Sequence, residues 1–318
     1  MIPLVSVVIP VYGVEDYIEK CSRSLFEQSL SNMEFIFVDD CTLDRSIEVL
    51  KKVIEDYPYR RSQVKIVRTP MNSGLCFARR YAMQFVTGKY IIHCDSDDWV
   101  DHTMYEEMYQ VAEKNGYDMV ISDFQLSSTG KPFKSSSFTN DRILLMKSIL
   151  LGKLHSSLCT KLVRKDVYDN IIKYPSGNMR EDMTIAIQLV YYSNNIGYYD
   201  KALYHYYVNQ DSISRSMTYS KIVSRFEQSV QNANIISKFI DDTGLNHCLT
   251  KSINILRFTI MMELWPILHT EEGSKLWNTQ NMNVSFLRVL SYPVPVSFKL
   301  KYIIYKLGLL PMVRNTNH

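Results

Sequence analysis

The feature that most constrains this chain is a short apolar run that ends in three acidic residues. Residues 90–94 read Tyr-Ile-Ile-His-Cys, and Asp95, Asp97 and Asp98 follow within four positions. The β-branched and aromatic residues of the run follow a turn at Gly88 and predict a buried strand. A strand buried on both faces is typical of a parallel sheet covered by helices, and such sheets bind ligands beyond the carboxyl ends of their strands. The acids therefore fall where this architecture binds ligands.

The acidic cluster is a candidate metal site. Carboxylates this close repel one another unless a cation lies between them or water solvates them fully. A hard divalent ion such as Mg²⁺ or Mn²⁺ takes oxygen ligands and can hold a diphosphate at the same time. Alternate residues of an extended segment face the same side, so we expect Asp95 and Asp97 to share one metal ion while Asp98 points elsewhere. The alternative is an acidic turn in which Asp98 caps the next helix.

Length and composition indicate a folded domain with an appendage. The 318 residues suffice for a large core, and the charged and hydrophobic fractions of 22% and 46% argue against disorder. A net charge of +3 is too small to indicate nucleic-acid binding. The six cysteines lack CxxC spacing, which is typical of reduced thiols in a cytosolic protein. With no secretory signal pattern and no apolar run near ~18 residues, we expect a cytoplasmic protein.

The first half of the chain alternates predicted strands and helices. Apolar runs predict four strands, at residues 5–10, 35–38, 64–67 and 90–94. Amphipathic segments predict the helices between them, at residues 14–28, 44–57 and 75–86. This order predicts a Rossmann-like, mostly parallel α/β sheet. The hydrophobic period turns helical near Met217, so we expect an α/β domain over residues 1–217 and a helical region with a basic tail over 218–318.

Other polar residues fall at the same predicted edge of the sheet. Asp39 and Asp40 end the second strand, and we expect one of them to bind a base or ribose and the other to cap the turn at residues 41–42. Pro10 has no amide hydrogen, so we expect the first strand to end there and the chain to turn toward the crevice. Tyr12 would then stack on a base, or else pack on the first helix.

The start of the third predicted helix is a candidate anion site. Asn72, Ser73 and Gly74 form a turn into this helix, and Arg79 follows within it. A helix N-terminus and an arginine both favour anions. Because Arg79 and Arg80 are adjacent, at most one of them faces the crevice, and the alternative is that both are solvated.

Two further segments leave alternatives open. Glu181 and Asp182 precede an apolar helix, where one carboxylate acts as a general base or caps the helix. His205 lies in residues 199–208, which predict one or two edge strands, and it completes a metal site or is structural. A later polar segment closes over phosphates or forms a turn, and consists of Ser212, Ser214 and Arg215.

Taken together, these segments resemble the family 2 glycosyltransferases of GT-A fold. The resemblance covers roughly residues 4–216, in the family's order and at about its spacing. It rests on Val7-Val8-Ile9-Pro10-Val11-Tyr12, Phe37-Val38-Asp39-Asp40, Asn72-Ser73-Gly74 with Arg79, Gly88-Lys89-Tyr90, Asp95-Ser96-Asp97-Asp98-Trp99, Thr160-Lys161-Leu162 and Glu181-Asp182. It implies a GT-A domain with a helical C-terminal extension. It also implies inverting, metal-assisted transfer of one sugar from a nucleoside diphosphate donor, with a UDP-sugar favoured, to a hydroxyl of a glycan or lipid-linked acceptor.

The resemblance also implies roles for individual residues. Asp182 would be the general base with Glu181 as its neighbour, because a hydroxyl nucleophile gains from a carboxylate base. The candidate ligands of a divalent metal ion, Mn²⁺ or Mg²⁺, which would stabilise the leaving diphosphate, are Asp95, Asp97 and His205. The candidate substrate-binding residues are Pro10, Tyr12, Asp39, Asp40, Asn72, Arg79, Asp95, Ser96 and Trp99.

The chain departs from the family pattern in two places. Gly13 stands where the family often has asparagine, and the Arg-Trp acceptor motif of processive synthases is not visible. The second departure, with the missing membrane-spanning runs, indicates transfer of a single sugar rather than polymer synthesis with export.

Two other functions share parts of this pattern. A sugar nucleotidyltransferase normally needs a glycine-rich basic loop after the first strand, where this chain has Gly13-Val14-Glu15. A non-catalytic module that binds nucleotide sugars would not need the acids at Asp97 and Asp182.

The C-terminal tail mixes apolar and basic positions. Residues 298–307 read Phe-Lys-Leu-Lys-Tyr-Ile-Ile-Tyr-Lys-Leu, a mixture that interfacial helices also show. The segment therefore predicts peripheral contact with the inner face of a membrane, or a helix packed on the rest of the protein.

Overall fold

The computed structural model describes residues 2–135, 138–171, 173–208, 218–279 and 286–307. The chain divides into two compact units, residues 1–210 and 211–318. The predicted boundary at Met217 lies outside the described residues, and the assignment of two functional domains stays a prediction.

The first unit begins with four parallel strands. They lie side by side in the order β3-β2-β1-β4, and comprise β1 (Val5–Val11), β2 (Met33–Asp39), β3 (Val64–Arg68) and β4 (Tyr90–His93). In register, Val7 of β1 lies between Phe35 of β2 and Ile92 of β4. Every residue of β1, β2 and β4 is buried, because helices cover both faces of the sheet. The predicted parallel half of the α/β fold is confirmed.

The first strand does not end where the sequence predicted. β1 continues past Pro10 to Val11, whose carbonyl accepts a hydrogen bond from the Asp40 amide at 3.1 Å. Pairing with β4 ends at Val8, whose carbonyl accepts a bond from the Cys94 amide. Alternate residues face the same neighbouring strand, so Pro10 faces the side on which β4 has already ended. The prediction of a strand end at Pro10 is wrong, since the missing amide hydrogen removes no bond there.

The sheet continues with mixed pairing. It has nine strands among the described residues, and the other five are β5 (Trp99–Val100), β6 (Met119–Leu126), β7 (Pro132–Phe133), β8 (Lys161–Arg164) and β9 (Ile196–Tyr206). β8 pairs antiparallel with β4 and β6, and β6 pairs parallel with β9. The prediction of edge strands near His205 is wrong at that residue, because β5 pairs with β9 on the side away from β6.

The helices of the first unit cover this sheet. They are α1 (Ile18–Phe26), α2 (Ser46–Asp56), α3 (Leu75–Ala82), α4 (Met104–Asn115), α5 (Arg142–Leu150), α6 (Lys165–Tyr168) and α7 (Glu181–Tyr192). The three helices predicted between the parallel strands are all shorter than predicted, α1 and α3 by the most. Residues 14–17 form a separate turn before α1, in which the Tyr17 amide donates to the Val14 carbonyl. After α3 the chain bends so that the Thr87 amide reaches Glu34 of β2 at 2.6 Å.

The second unit is helical. Its described elements are α8 (Tyr219–Asp242), α9 (Asn246–Met261), a 3₁₀ segment (Met262–Ile267), α10 (Glu271–Thr279), α11 (Phe286–Leu290) and α12 (Val296–Lys306). Phe226, Phe239 and Phe258 are almost fully buried and form part of its core. Within the described ranges, no helix has both the length and the apolar composition that crossing a membrane requires.

Candidate active site

The acids after β4 lie in a tight turn. The Asp98 amide donates to the Asp95 carbonyl at 3.1 Å, which closes a turn around residues 96 and 97. The expectation of an extended segment is therefore wrong, and strand alternation does not orient these carboxylates. Asp95 and Asp98 instead bind different neighbours, Arg79 and Tyr204 respectively.

Asp98 fastens the end of β9 to this turn. Its side chain is 1% exposed and accepts bonds from the Tyr204 hydroxyl at 2.5 Å and the Tyr207 amide at 2.6 Å. The same Tyr204 hydroxyl accepts a bond from the Asp95 amide at 3.1 Å. Burial, followed by the charges of Asp95 and Asp97, raises the pKa of Asp98 well above its usual value. Asp98 therefore serves the structure of the turn and does not cap the next helix.

At the centre of the site, one guanidinium meets three carboxylates. Arg79 of α3 is 5% exposed, and its Nη2 donates to Asp95 Oδ1 at 2.6 Å. Its Nη1 donates to Glu181 and to Asp182, the first two residues of α7. The solvated alternative for Arg79 is thus wrong, whereas Arg80 is exposed. Arg79 joins the acidic turn after β4 to the acidic start of α7.

The two acids of α7 titrate in opposite directions. Burial raises the pKa of Glu181 well above its usual range and outweighs the attraction of Arg79, with the charge of Asp182 adding to the rise. Burial also raises the pKa of Asp182, but the charge of Arg79 and a hydrogen bond from Glu181 hold it below its usual value. Of the two acids, Asp182 is therefore the one that loses its proton more readily. A pair whose pKa values are pushed apart is the arrangement that acid–base chemistry uses.

Buried basic side chains lie near Asp182, and the sequence patterns did not indicate a role for them. Burial lowers the pKa of His93 to about 3, and its Nε2 lies 3.0 Å from the Tyr168 hydroxyl. Burial lowers the pKa of Lys161 to about 8, and its Nζ donates to the carbonyls of His155 and Ser157, each at 2.8 Å. A lysine or histidine inside an otherwise apolar strand run is the signal that points to such residues.

The acids at the end of β2 bind the neighbouring loops. Asp39 Oδ1 accepts a bond from the Thr42 amide at 2.8 Å and thereby caps the turn, as one of the two acids was expected to do. Asp40 accepts bonds from the Thr69 hydroxyl at 2.8 Å and the Gly74 amide at 2.7 Å. Asp40 thus orders the loop before α3, where Gly74 has a φ of +85° that favours glycine. Binding of a nucleoside by Asp40 stays a prediction.

Three other candidate substrate residues differ in exposure. Tyr12 is 47% exposed and Asn72 is also exposed, so both are open to a ligand. Ser96 is 6% exposed, inside the acidic turn. Their roles stay predictions, together with that of Pro10.

A cavity of about 260 Å³ lies beside Asp97. Asp16, Tyr17 and Lys20 line one side of it, and Trp99 lines another. Lys20 Nζ lies 2.9 Å from the centroid of the Trp99 ring. Burial, followed by the charge of Asp95, raises the pKa of Asp97 to about 6. A divalent cation bound beside Asp97 would lower this pKa again, because its positive charge favours the ionised carboxylate.

His205 is placed away from the lining of this cavity. Its ring stacks on Trp99 with centroids 5.2 Å apart, and its Nε2 lies 2.9 Å from Asp101 Oδ1. Among the described residues, no three histidine, cysteine or acidic side chains are grouped as a ready-made metal site. Asp97 and Asp95 nonetheless fit a hard ion, since Mg²⁺ is often held by one or two carboxylates with water and phosphate oxygens completing its shell. The metal roles of Asp95, Asp97 and His205 stay predictions.

The part of the chain that carries Asp40, Arg79 and the acidic turn also matches a known family. Residues 6–172 match the family model described as Glycosyl transferase family 2. The chain belongs to glycosyl transferase family 2. Membership makes it a glycosyltransferase, and the nucleotidyltransferase alternative falls away.

Similar proteins support this family 2 assignment. The uncharacterized glycosyltransferase EpsJ of Bacillus subtilis (strain 168) is 28% identical over 302 residues, which cover 92% of this chain and 85% of EpsJ. The structure of S. aureus TarS 1-349 in complex with UDP-GlcNAc has a TM-score of 0.61 at 17% identity, and the match covers 96% of this chain and 92% of that chain. The mannosyltransferase PcManGT from Pyrobaculum calidifontis, in complex with GDP-Man and Mn²⁺, has a TM-score of 0.58 at 13% identity, covering 98% and 82%. The likeness to these structures shows that the family 2 chain has the GT-A fold.

One predicted element of the family 2 site lies outside the described residues. Ser212, Ser214 and Arg215, which were expected to close over phosphates or form a polar turn, fall between residues 208 and 218. The described chain ends beside the cavity on that side, since Tyr207 and Val208 line it.

Proposed function

We propose that this glycosyltransferase inverts the anomeric configuration while it moves one sugar from a nucleoside diphosphate donor to a hydroxyl of a glycan or lipid-linked acceptor. One observation carries the proposal. Arg79 binds Asp95, in the turn after β4, and also Asp182, at the start of α7. One acid proposed for the donor, Asp95, and the acid proposed as base, Asp182, therefore meet at one cation.

Asp182 is the proposed general base. It is ionised at neutral pH, and its side chain is 25% exposed while that of Glu181 is 5% exposed. An acceptor hydroxyl can therefore approach Asp182 and lose its proton to it as the new bond forms. Inversion follows when a single displacement has the acceptor on the face of the sugar opposite the diphosphate.

Asp97 and Asp95 are the proposed ligands of a divalent metal ion. Their oxygen atoms suit Mn²⁺ or Mg²⁺, which when bound supplies positive charge for the leaving diphosphate. Asp97 lines the cavity and would gain a favourable partner for its buried carboxylate. His205 is a third proposed ligand only if it exchanges Asp101 for the metal.

The nucleoside is proposed to lie at the carboxyl ends of β1 and β2. Exposed Tyr12 offers a ring for stacking there, and Asn72 lies in the loop that Asp40 orders. We favour a UDP-sugar, since the TarS structure contains UDP-GlcNAc, although the PcManGT structure contains GDP-Man. The full proposed substrate-binding set is Pro10, Tyr12, Asp39, Asp40, Asn72, Arg79, Asp95, Ser96 and Trp99.

The proposal includes a cellular setting. We place the enzyme in the cytoplasm, where it adds sugars to surface polysaccharide or to a lipid-linked glycan. Peripheral membrane contact through the basic tail is part of this proposal. It is supported by the tail's charge, since the sequence has no acidic residue after Glu272.

The test begins with a donor screen. Purified protein with Mn²⁺ is incubated with a set of nucleotide sugars, and a donor that binds only the folded state raises the melting temperature. The proposal predicts a shift with a UDP-sugar. Transfer from that donor to a candidate acceptor is then followed by NMR, which reads the anomeric configuration of the product. A product that keeps the configuration of the donor contradicts the inverting mechanism, and a screen without any shift contradicts the donor class.

A further inference from the structure

Helix α12 has two apolar faces, and one of them packs inside the second unit. Tyr302 is 5% exposed, and its ring centroid lies 5.5 Å from that of Phe258 in α9. One turn further on, the ring centroid of Tyr305 lies 4.9 Å from that of Trp277 in α10. These contacts fix α12 to the helical unit and orient its other face outward.

The other face of α12 is apolar and exposed. Val296 is 70% exposed, Leu300 is 54% exposed and Leu307 is 65% exposed. With partly exposed Ile303 they occupy positions i, i+4, i+7 and i+11, the last of them directly after α12 ends, and residues at this spacing form a single stripe. We call Val296, Leu300, Ile303 and Leu307 the outer stripe. At 100° per residue its members lie on the side of the helix opposite Tyr302.

Lysines flank the outer stripe on both sides. Lys299 and Lys306 lie between the stripe and Tyr302 on one side of the helix, and Lys301 lies on the other. Lys299 Nζ donates to the Leu290 carbonyl at 2.8 Å, and Lys301 Nζ lies 5.4 Å from the centroid of the Trp265 ring. Lys306 Nζ lies 5.6 Å from the centroid of the Tyr302 ring. Each of these charged ends therefore contacts another group of the second unit, and it would exchange that contact for a lipid headgroup on docking. An apolar stripe bordered by cations is the pattern of helices that lie in a lipid interface.

The sequence around α12 strengthens the positive charge. After Glu272 the chain has no acidic residue and six basic ones, namely Lys275, Arg288, Lys299, Lys301, Lys306 and Arg314. Two copies of this chain that paired through their stripes would bring like charges together, which opposes a symmetric dimer. An anionic bilayer instead offers negative headgroups to the lysines and acyl chains to the stripe.

We infer that the outer stripe of α12 docks on the surface of an anionic lipid bilayer. The helix lies in the plane of the interface, with Leu300 and Leu307 inserted and the lysines at the level of the headgroups. This inference rests on the proposed peripheral contact and names the face and the lipid charge. It uses none of the residues proposed for sugar transfer.

Vesicle sedimentation of the full chain tests this docking. One set of vesicles is pure phosphatidylcholine, and the other contains phosphatidylcholine and phosphatidylglycerol in equal parts. We expect the protein to sediment with the anionic vesicles at low salt, and to bind much less to the neutral vesicles or at high salt, where the charges are screened. No sedimentation with anionic vesicles at low salt overturns the inference.

Matched variants distinguish binding through the outer stripe from non-specific binding to vesicles. The double variant Leu300→Gln/Leu307→Gln should reduce partitioning onto anionic vesicles at least about tenfold, because two inserted leucines are lost. Leu43→Gln is the control, since Leu43 is 92% exposed in the first unit and should leave partitioning unchanged. Lys299→Gln/Lys306→Gln should also weaken binding and flatten its salt dependence. Circular dichroism confirms that each variant is folded, as expected for exposed positions.

Two further outcomes have a defined meaning. A wild-type dimer in light scattering that becomes a monomer in the stripe variant, without binding to vesicles, overturns the inference in favour of a second copy. An enzyme that binds anionic vesicles through the stripe but transfers no sugar supports the docking and contradicts only the proposed transfer.

Discussion

Nη2 of Arg79 lies 2.6 Å from Oδ1 of Asp95, and this ion pair joins α3 to the acidic turn after β4. The other terminal nitrogen of the same guanidinium binds Glu181 and Asp182 at the start of α7. Arg79 therefore couples the charge of the proposed donor site to the charge of the proposed base. Its burial makes each of these charges depend strongly on the others.

Replacing Arg79 should destabilise the fold. Arg79→Met leaves three carboxylates close together without their shared cation. Removing one partner of a buried ion pair costs about 3–5 kcal/mol, because the remaining charge has no compensation. Chemical denaturation should show a loss of this size. The control is Arg80→Met on the exposed side of the same helix, which should change stability by less than about 0.5 kcal/mol. Equal losses of stability in Arg79→Met and Arg80→Met would contradict the stabilising role of the ion pairs that Arg79 makes.

Removing the carboxylate of Asp97 should stabilise the metal-free protein above neutral pH. The folded-state pKa is raised to about 6 by burial and then by Asp95, whereas the unfolded value is about 3.9. Between these two pH values the folded state binds more protons than the unfolded state. The contribution of Asp97 to the free energy of unfolding is therefore fully present below about pH 4 and is lost as the pH rises through about 6. Asp97→Asn should therefore raise the melting temperature at about pH 8 in EDTA and leave it nearly unchanged at about pH 4.

Metal addition should reverse this difference. Mn²⁺ should raise the melting temperature of the wild type at alkaline pH much more than that of Asp97→Asn, since the variant lacks a proposed ligand. Asp16→Asn is the matched control, because Asp16 lines the same cavity and is exposed. The same Mn²⁺ shift in wild type and Asp97→Asn would contradict the assignment of Asp97 to the metal.

Tyr204 should be needed for the acidic turn. Its hydroxyl donates to Asp98 at 2.5 Å and accepts from the Asp95 amide at 3.1 Å. Tyr204→Phe leaves both groups short of a partner, and an unsatisfied buried group costs about 1–3 kcal/mol. Thermal unfolding should register this loss, while Tyr12→Phe, at a 47% exposed position, should unfold like the wild type. A Tyr204→Phe variant as stable as the wild type would count against the role given to Asp98.

The sequence predicted the parallel half of the sheet because local patterns specify it. β1, β2 and β4 are buried on both faces, so apolar residues run along each strand instead of alternating with polar ones. Such continuous apolar runs bounded by turns are easy to identify in a sequence. β5 is different, since its two residues become a strand only by pairing with His205 and Tyr204 of β9. No local pattern marks a strand of that length, so the far edge of the sheet was not predictable.

The sequence indicated which residues belong to the candidate site, but it did not show which of them contact one another. Asp95, Arg79 and Asp182 were each singled out, but the last two lie 103 positions apart, and only the folded sheet brings them together. The acidic turn was misread because a hydrogen bond between Asp98 and Asp95 overrides strand alternation. The sequence indicated Lys161 only as part of a family motif. The carbonyl groups that bind its ammonium at 2.8 Å are set by the path of the backbone, which the sequence pattern does not show.

The most direct test of the account is sugar transfer by Asp182→Asn, measured with donor affinity on the same preparation. We expect transfer to fall by about 10²–10⁴-fold, the range that a general base contributes, while donor binding changes little. Glu181→Gln is the matched control: because burial raises the pKa of Glu181, its neutral amide replacement should retain more of the activity than Asp182→Asn does. Transfer by Asp182→Asn at the rate of the wild type would contradict the assignment of the base.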